Sequence, residues 1–141
     1  MPIAVPLPNA TLNPARVFGG QRFVHHVAAT AAWRPWRLAG FAARDIGIGA
    51  ATGGLAGVKV ARVAGPPKGE AASHAGEFLF LFVLAGSALL KAEGHGAERL
   101  AAGDAVTIPA KLPHALADCS ADLELLEVAL PADLGAAPSR P

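Results

Sequence analysis

Two histidines, His74 and His114, have surroundings in the sequence that suggest chemistry. Imidazole can bind a metal ion or carry a proton near neutral pH, so each residue is a candidate functional group. His25 and His26 are adjacent in a predicted strand, so they point to opposite faces and cannot chelate one ion. His95 lies between two glycines of a predicted hairpin loop, where a solvated turn residue is expected. The chemistry is therefore expected between His74 and His114.

Strands and turns join these two histidines. Residues 77–84 form a predicted strand in which every residue after Glu77 is apolar, so both of its faces are apolar. This pattern is typical of a strand that is covered on both faces. Gly86 and Ser87 then form a turn into a return strand at residues 87–92, which ends at the loop 93–96. Residues 103–104 signal another hairpin, and the strand after it ends at Pro109. The pattern predicts that a set of short antiparallel strands carries the site.

The rest of the chain extends the same pattern. Further strands are predicted at residues 22–28, 41–46, 57–64, 99–101, 104–108 and 122–130. The glycine-rich loop at 47–54 matches neither a dinucleotide-binding nor a P-loop spacing, so it is interpreted as a turn. Eight or nine short strands, Gly/Pro punctuation and no long amphipathic helix together predict an antiparallel sandwich or barrel.

Length and composition predict one domain. The chain has 141 residues and no composition break, with residues 21–131 as the folded domain. Four prolines make residues 1–20 an extended or disordered arm, and residues 132–141 are expected to be a loose tail. Cys119 is the only cysteine, which excludes an internal disulfide and a cysteine-cluster zinc site.

The charge balance limits the partners. Hydrophobic residues make up 52%, charged residues 16%, and the net charge is +1, so no basic field exists for nucleic acid or an anionic membrane. No apolar run approaches the ~20 residues that span a bilayer, and the first residues lack the basic region of a secretory signal. A cytoplasmic protein with a small-molecule ligand is expected.

The spacing of these motifs resembles the cupin superfamily over residues 57–130. The first cupin motif contains H-x-H-x3-4-E-x6-G, and the second is G-x5-P-x-G-x2-H-x3-N. Matching positions are His74, Gly86, Gly103, Pro109 and His114. Departures are Ala72 for the first histidine, Leu79 for the glutamate, Lys111 for a glycine and Asp118 for the asparagine. The resemblance implies an all-β antiparallel jelly-roll (cupin) barrel with its pocket near His74 and His114.

The resemblance also implies a metal site, of which two of the four ligands remain. A bulge at Gly76 would turn Glu77 inward. His74, Glu77 and His114 would then form a 2-His-1-carboxylate set for one divalent ion, Fe(II), Mn(II) or Zn(II). The alternative is a site that has lost its metal.

Two function classes therefore stay open. One is a metal-dependent enzyme that acts on a small organic molecule by oxygenation, isomerisation or lyase chemistry, and the other is a non-catalytic binding barrel. Candidate substrate-binding residues are Trp36 and Lys111. The loop at 33–37 either caps the core or forms a lid with an arginine for an anionic ligand. Lys111 is either solvated or a cation for a carboxylate.

The predicted strand at 77–84 suggests an assembly. Its outer face would carry Phe78, Phe80 and Phe82, more apolar surface than monomers usually expose. A homodimer that buries this face is expected. The alternative is that the arm at residues 1–20 folds back over the same face.

Overall fold

The computed structural model describes residues 21–135 and the backbone of residues 137–138. Eleven strands lie in this part of the chain, with a 3-10 turn at Ala28–Thr30 and a short helix α1 at Ile48–Ala51. The strands are β1 (Arg34–Pro35), β2 (Phe41–Asp45), β3 (Gly57–Val63), β4 (Ala72–Ser73), β5 (Phe78–Ala85), β6 (Ser87–Ala92), β7 (Gly96–Ala101), β8 (Ala105–Thr107), β9 (His114–Ala117), β10 (Glu124–Leu130) and β11 (Ala137–Pro138). None of the helices in the described ranges is long and apolar enough to cross a membrane.

The strands form two antiparallel sheets. One sheet has the order β1-β2-β3-β10-β5-β8, and the other has the order β11-β4-β9-β6-β7. From β3 onward the chain passes repeatedly from one sheet to the other, so strands that are distant in sequence become neighbours. This arrangement is a jelly roll, and the predicted all-β antiparallel barrel is confirmed.

The core lies between the two sheets. Leu79, Leu81 and Val83 on β5 point inward and are almost fully buried, as their shared parity predicts. The other face of β5 carries Phe78, whose ring stacks on Phe80 with 6.4 Å between the ring centroids. Phe78 is exposed and Phe80 is half-buried. The predicted homodimer through this outer face stays a prediction.

The strand predicted at residues 22–28 is wrong. Residues 21–27 have no regular secondary structure, and Phe23 is 96% exposed. The Arg22 amide donates to the Ala51 carbonyl in α1, so this segment contacts the helix and joins neither sheet. Alternating apolar residues are not sufficient for a strand, because the backbone also needs a neighbouring strand with which to form hydrogen bonds.

The predicted termini have different outcomes. The arm at residues 1–20 lies outside the described residues. Residues 132–135 were expected to be loose, yet Leu134 is buried and its carbonyl accepts a hydrogen bond from the Ala75 amide at 2.8 Å. Strand β11 then pairs with β4. This part of the tail is held in place by the burial of Leu134 in the core and by its hydrogen bond to Ala75.

Candidate functional site

His74 follows β4 and is buried inside the barrel. Its Nε2 lies 2.7 Å from the Ile108 carbonyl oxygen, and the Gly76 amide donates to its Nδ1 at 3.1 Å. A carbonyl can only accept and an amide can only donate, so Nε2 carries the proton and Nδ1 is the acceptor. Both ring nitrogens of His74 are therefore engaged by backbone groups.

Gly76 allows the chain to pass close to His74. A Cβ atom at this position would lie 2.7 Å from Leu134 Cδ2 and 3.0 Å from the Leu130 carbonyl oxygen. The next residue, Glu77, lies at a bend before β5 and is exposed, while its amide donates to the Leu130 carbonyl at 2.7 Å. Leu79, Leu81 and Val83 of β5 therefore point inward as predicted, whereas Glu77, which was predicted to point inward with them, is exposed.

His114 is the first residue of β9 and is 1% exposed. Its Nδ1 donates to the Leu112 carbonyl at 3.0 Å, and its Nε2 lies 2.8 Å from Arg37 Nη1. A guanidinium nitrogen has only protons to give, so His114 Nε2 is the acceptor. Ala72 and Ala92 stand beside His114 on the neighbouring strands. Ala72, at the position of the missing motif histidine, is buried in the core.

The same guanidinium forms a buried ion pair. Arg37 Nε donates to Glu127 Oε1 at 2.8 Å, and the two side chains are 8% and 4% exposed. Glu127 lies on the inward face of β10, opposite Lys59 of β3 and Leu81 of β5. Burial of two charges is costly, and it is offset only where the geometry and further hydrogen bonds are good. We refer to Arg37, His114 and Glu127 as the Arg37 cluster.

The protonation state of His114 fits this cluster. Burial, followed by the positive charge of Arg37 and the proximity of His74, lowers the pKa of His114 to about 4, although the hydrogen bond to Leu112 acts in the opposite direction. The ring is therefore neutral at pH 7. A neutral ring has the lone pair that the guanidinium contact needs.

A pocket of about 480 Å³ opens beside the Arg37 cluster. Its lining includes Trp36, Arg37, Lys59, Glu127, Asp133 and Leu134. A second pocket of about 230 Å³ also borders Trp36 and Arg37 and extends to Ala72. The Trp36 ring packs 4.6 Å from the Arg37 guanidinium carbon, measured to the ring centroid. Trp36, which the sequence suggests as a binding residue, lines both pockets, and its role in binding a ligand stays a prediction.

The other predicted residues lie elsewhere. Lys111 is exposed and does not line the 480 Å³ pocket, although its amide donates to the His74 carbonyl at 2.8 Å. Its role in binding a ligand stays a prediction. Cys119 is half-buried, and burial raises the pKa of its thiol, which opposes a nucleophilic role.

The predicted metal ligands do not fit a metal ion as they are arranged. His74 has both ring nitrogens bonded to the backbone, His114 Nε2 faces a guanidinium, and Glu77 is exposed. Across residues 21–135, no group of three or more His, Cys, Asp or Glu side chains could hold one ion. A metal would require these contacts to be replaced, so the metal site stays a prediction.

Sequence reasoning did not identify Arg37 as the centre of the site, and it missed Glu127 entirely. A signal for Glu127 was present, because residues 123, 125 and 129 share its parity and are apolar. A single carboxylate on an inward apolar face needs a partner. No comparable signal marks Arg37, because the loop at 33–37 contains both Arg34 and Arg37 and the sequence does not distinguish them.

Comparisons with known proteins agree with this architecture. Residues 61–129 match the family model of the cupin domain. No curated protein matches the sequence.

Several solved structures share the fold. A Streptomyces Pac13 variant with uridine has a TM-score of 0.66 at 15% identity, over 84% of this chain and 92% of that one. Another matching structure is that of Pac13 itself, a nucleoside dehydratase. KdgF from Halomonas sp. gives 0.62 at 17% identity, over 75% of this chain and 93% of that one. An RmlC-like cupin from Shewanella frigidimarina gives 0.63 at 16% identity, over 80% of this chain and 95% of that one.

Proposed function

This chain belongs to the cupin superfamily, and from that premise we propose that it binds a small organic molecule in its barrel without a metal ion. The observation that carries the proposal is the double contact of Arg37, which lies 2.8 Å from both His114 Nε2 and Glu127 Oε1. A neutral imidazole and a carboxylate are also the groups that a divalent cation would take. In this chain the arginine side chain supplies the positive charge between them.

A second cation would be disfavoured in this place. A guanidinium stays charged at every ordinary pH, so an ion bound to His114 Nε2 would have to displace Arg37 or share a site with a like charge. His74 offers no second coordinating nitrogen while Ile108 and Gly76 engage its ring. These contacts support a binding role that does not depend on metal.

Metal analysis with thermal melts tests this proposal. The purified protein should contain no stoichiometric metal, and excess Zn(II), Mn(II) or Fe(II) should leave the melting temperature unchanged. An ion that binds only the folded state would raise it by mass action. The metal-dependent alternative is supported instead if the temperature rises and His114→Ala abolishes the rise while His95→Ala, on an exposed turn, retains it.

A second candidate function is acid–base catalysis in the same pocket. Glu127 lines the pocket beside Arg37, and Lys59 lies opposite Glu127 in the sheet. A carboxylate in this position could accept a proton from a bound substrate while the guanidinium stabilises the negative charge that develops. Some proteins with this fold are enzymes, including Pac13, a nucleoside dehydratase.

Isotope exchange in heavy water distinguishes catalysis from binding. If Glu127 is a base, small organic molecules that bind and carry an acidic C–H should lose that hydrogen to solvent, as followed by proton NMR, and Glu127→Gln should stop the exchange. A pure binding protein should bind the same compounds with no exchange.

A further inference from the structure

Two buried hydrogen-bond donors, each on a residue that lines the pocket, have no partner among the described residues. They are Arg37 Nη2 and Trp36 Nε1. The Arg37 side chain and the Trp36 residue are each 8% exposed. An unpaired buried donor destabilises the folded protein, and more so when it is charged. Two such donors at one wall indicate a place where a ligand supplies the acceptors.

The chemistry of these donors limits the ligand. Both are N–H groups, and neither can accept a hydrogen bond, so the matching atoms must be acceptors. Arg37 Nε and Nη1 already bond to Glu127 and His114, so Nη2 is the guanidinium nitrogen without a partner among the described residues. One guanidinium N–H and one indole N–H are enough for the two oxygens of a carboxylate. A phosphate would leave further oxygens without donors.

The charges that line the pocket balance, with Arg37 and Lys59 against Glu127 and Asp133, so the unpartnered donors and not the net charge favour an anion here. Lys59 adds a second cation to the lining, and the carboxylates that face the same space are Glu127 and Asp133. Glu127 is neutralised by its ion pair with Arg37. Asp133 is exposed, and its Oδ1 accepts a hydrogen bond from the Gly135 amide at 3.0 Å. The acids are thus either paired or near solvent, whereas the free donors are buried.

We propose that the pocket binds a small organic carboxylate whose oxygens accept hydrogen bonds from Arg37 Nη2 and Trp36 Nε1. This inference rests on the proposed function, because it assigns the ligand class of the same pocket. A volume of about 480 Å³ is within the range of small-molecule sites and leaves space for the rest of the ligand beyond its carboxylate. Leu134 provides an apolar wall for that part.

Ligand-observed NMR with matched acids and amides tests the proposal. The probes are benzoate with benzamide, butyrate with butyramide, and inorganic phosphate. Each acid should bind more tightly than its amide of the same shape, and phosphate should not compete. Equal binding of acid and amide, competition by phosphate alone, or no binding of any acid up to roughly millimolar concentration overturns the carboxylate proposal.

Conservative variants then test the two donors. Trp36→Phe keeps the ring but removes the indole N–H, so the affinity for the acids should fall roughly tenfold. Trp33→Phe is the matched control, because Trp33 lies against Arg62 and not in this pocket, and it should bind as the wild type does. Unchanged affinity in a folded Trp36→Phe variant overturns the assignment of Nε1. Arg37→Lys retains charge but loses the planar fork, and should also weaken binding.

The two proposals fail separately. If divalent ions raise the melting temperature but the acids still bind through Trp36, the metal-free function fails and the carboxylate inference stands. If ions have no effect and no acid binds, the carboxylate inference fails and the metal-free function stands.

Discussion

The two buried histidines share a residue type and a barrel interior, but they differ in what holds them. His74 is fixed by the Ile108 carbonyl and the Gly76 amide, both of which are backbone groups. His114 has one backbone partner, and its second nitrogen meets the side chain of Arg37. His74 therefore joins parts of the fold, whereas His114 belongs to a charged cluster that borders a pocket. A motif histidine is assigned a role by its partners rather than by its spacing.

The largest effect is expected from breaking the ion pair beside His114. Arg37→Met leaves Glu127 buried without its counter-charge, which should lower the free energy of unfolding by about 3–5 kcal/mol. The double variant Arg37→Met/Glu127→Leu removes both charges and should recover most of that loss. Chemical denaturation of the wild type, the two single variants Arg37→Met and Glu127→Leu, and the double variant measures the loss and its recovery. Additive losses in the double variant would show that the pair is not coupled.

No second substitution is expected to restore the stability that is lost when His74 is replaced. His74→Leu leaves the Ile108 carbonyl and the Gly76 amide unpaired, and these backbone groups cannot be substituted away. We expect a loss of about 2–4 kcal/mol in the free energy of unfolding, with binding of the acids retained in the folded fraction. A His74→Leu protein that is stable but no longer binds acids would place His74 in the ligand site instead.

The pH dependence of stability should report on the His114 ring. Unfolded His114 takes up a proton near pH 6.5, but the folded state resists it until about pH 4. Its contribution is thus fully present above pH 6.5 and is lost as the pH falls toward 4, by up to about 3 kcal/mol. The charged neighbours are Arg37 and Glu127, and His74 is also close. Denaturation curves of His114→Gln should show a shallower slope in this window than the wild type, and an equal slope would contradict the assignment.

A smaller effect tests the support of His74. Gly76→Ala would place a Cβ against Leu134 and the Leu130 carbonyl, which should cost about 1–3 kcal/mol of stability. Gly65→Ala is the matched control, because a Cβ there meets nothing within 4 Å, and its melting temperature should be close to the wild-type value. Equal melting temperatures for the two variants would show that the loop moves aside at little cost.

The sequence predicts the fold better than the site, and particular residues show why. Strand β6, Ser87–Ala92, has the predicted ends because the turn at Gly86 and the glycine-containing loop at 93–96 mark them in the sequence. The segment at 22–28 has the same local pattern but no strand beside it. Motif spacing locates His74 and His114, yet the contacts that distinguish them involve Arg37, which is 77 residues from His114 in the sequence. Pairings of that range depend on the folded topology, which local periodicity does not encode.

If Arg37 takes the place of a metal ion, as proposed, its position also affects how the site is assembled in the cell. A cation that is part of the polypeptide is delivered with the chain at one copy per molecule, so it needs no uptake or insertion step. It cannot be removed by a chelator, exchanged for a competing ion or damaged by a change of oxidation state. The cluster with His114 and Glu127 would thus be complete once the barrel has folded, whatever the supply of trace elements.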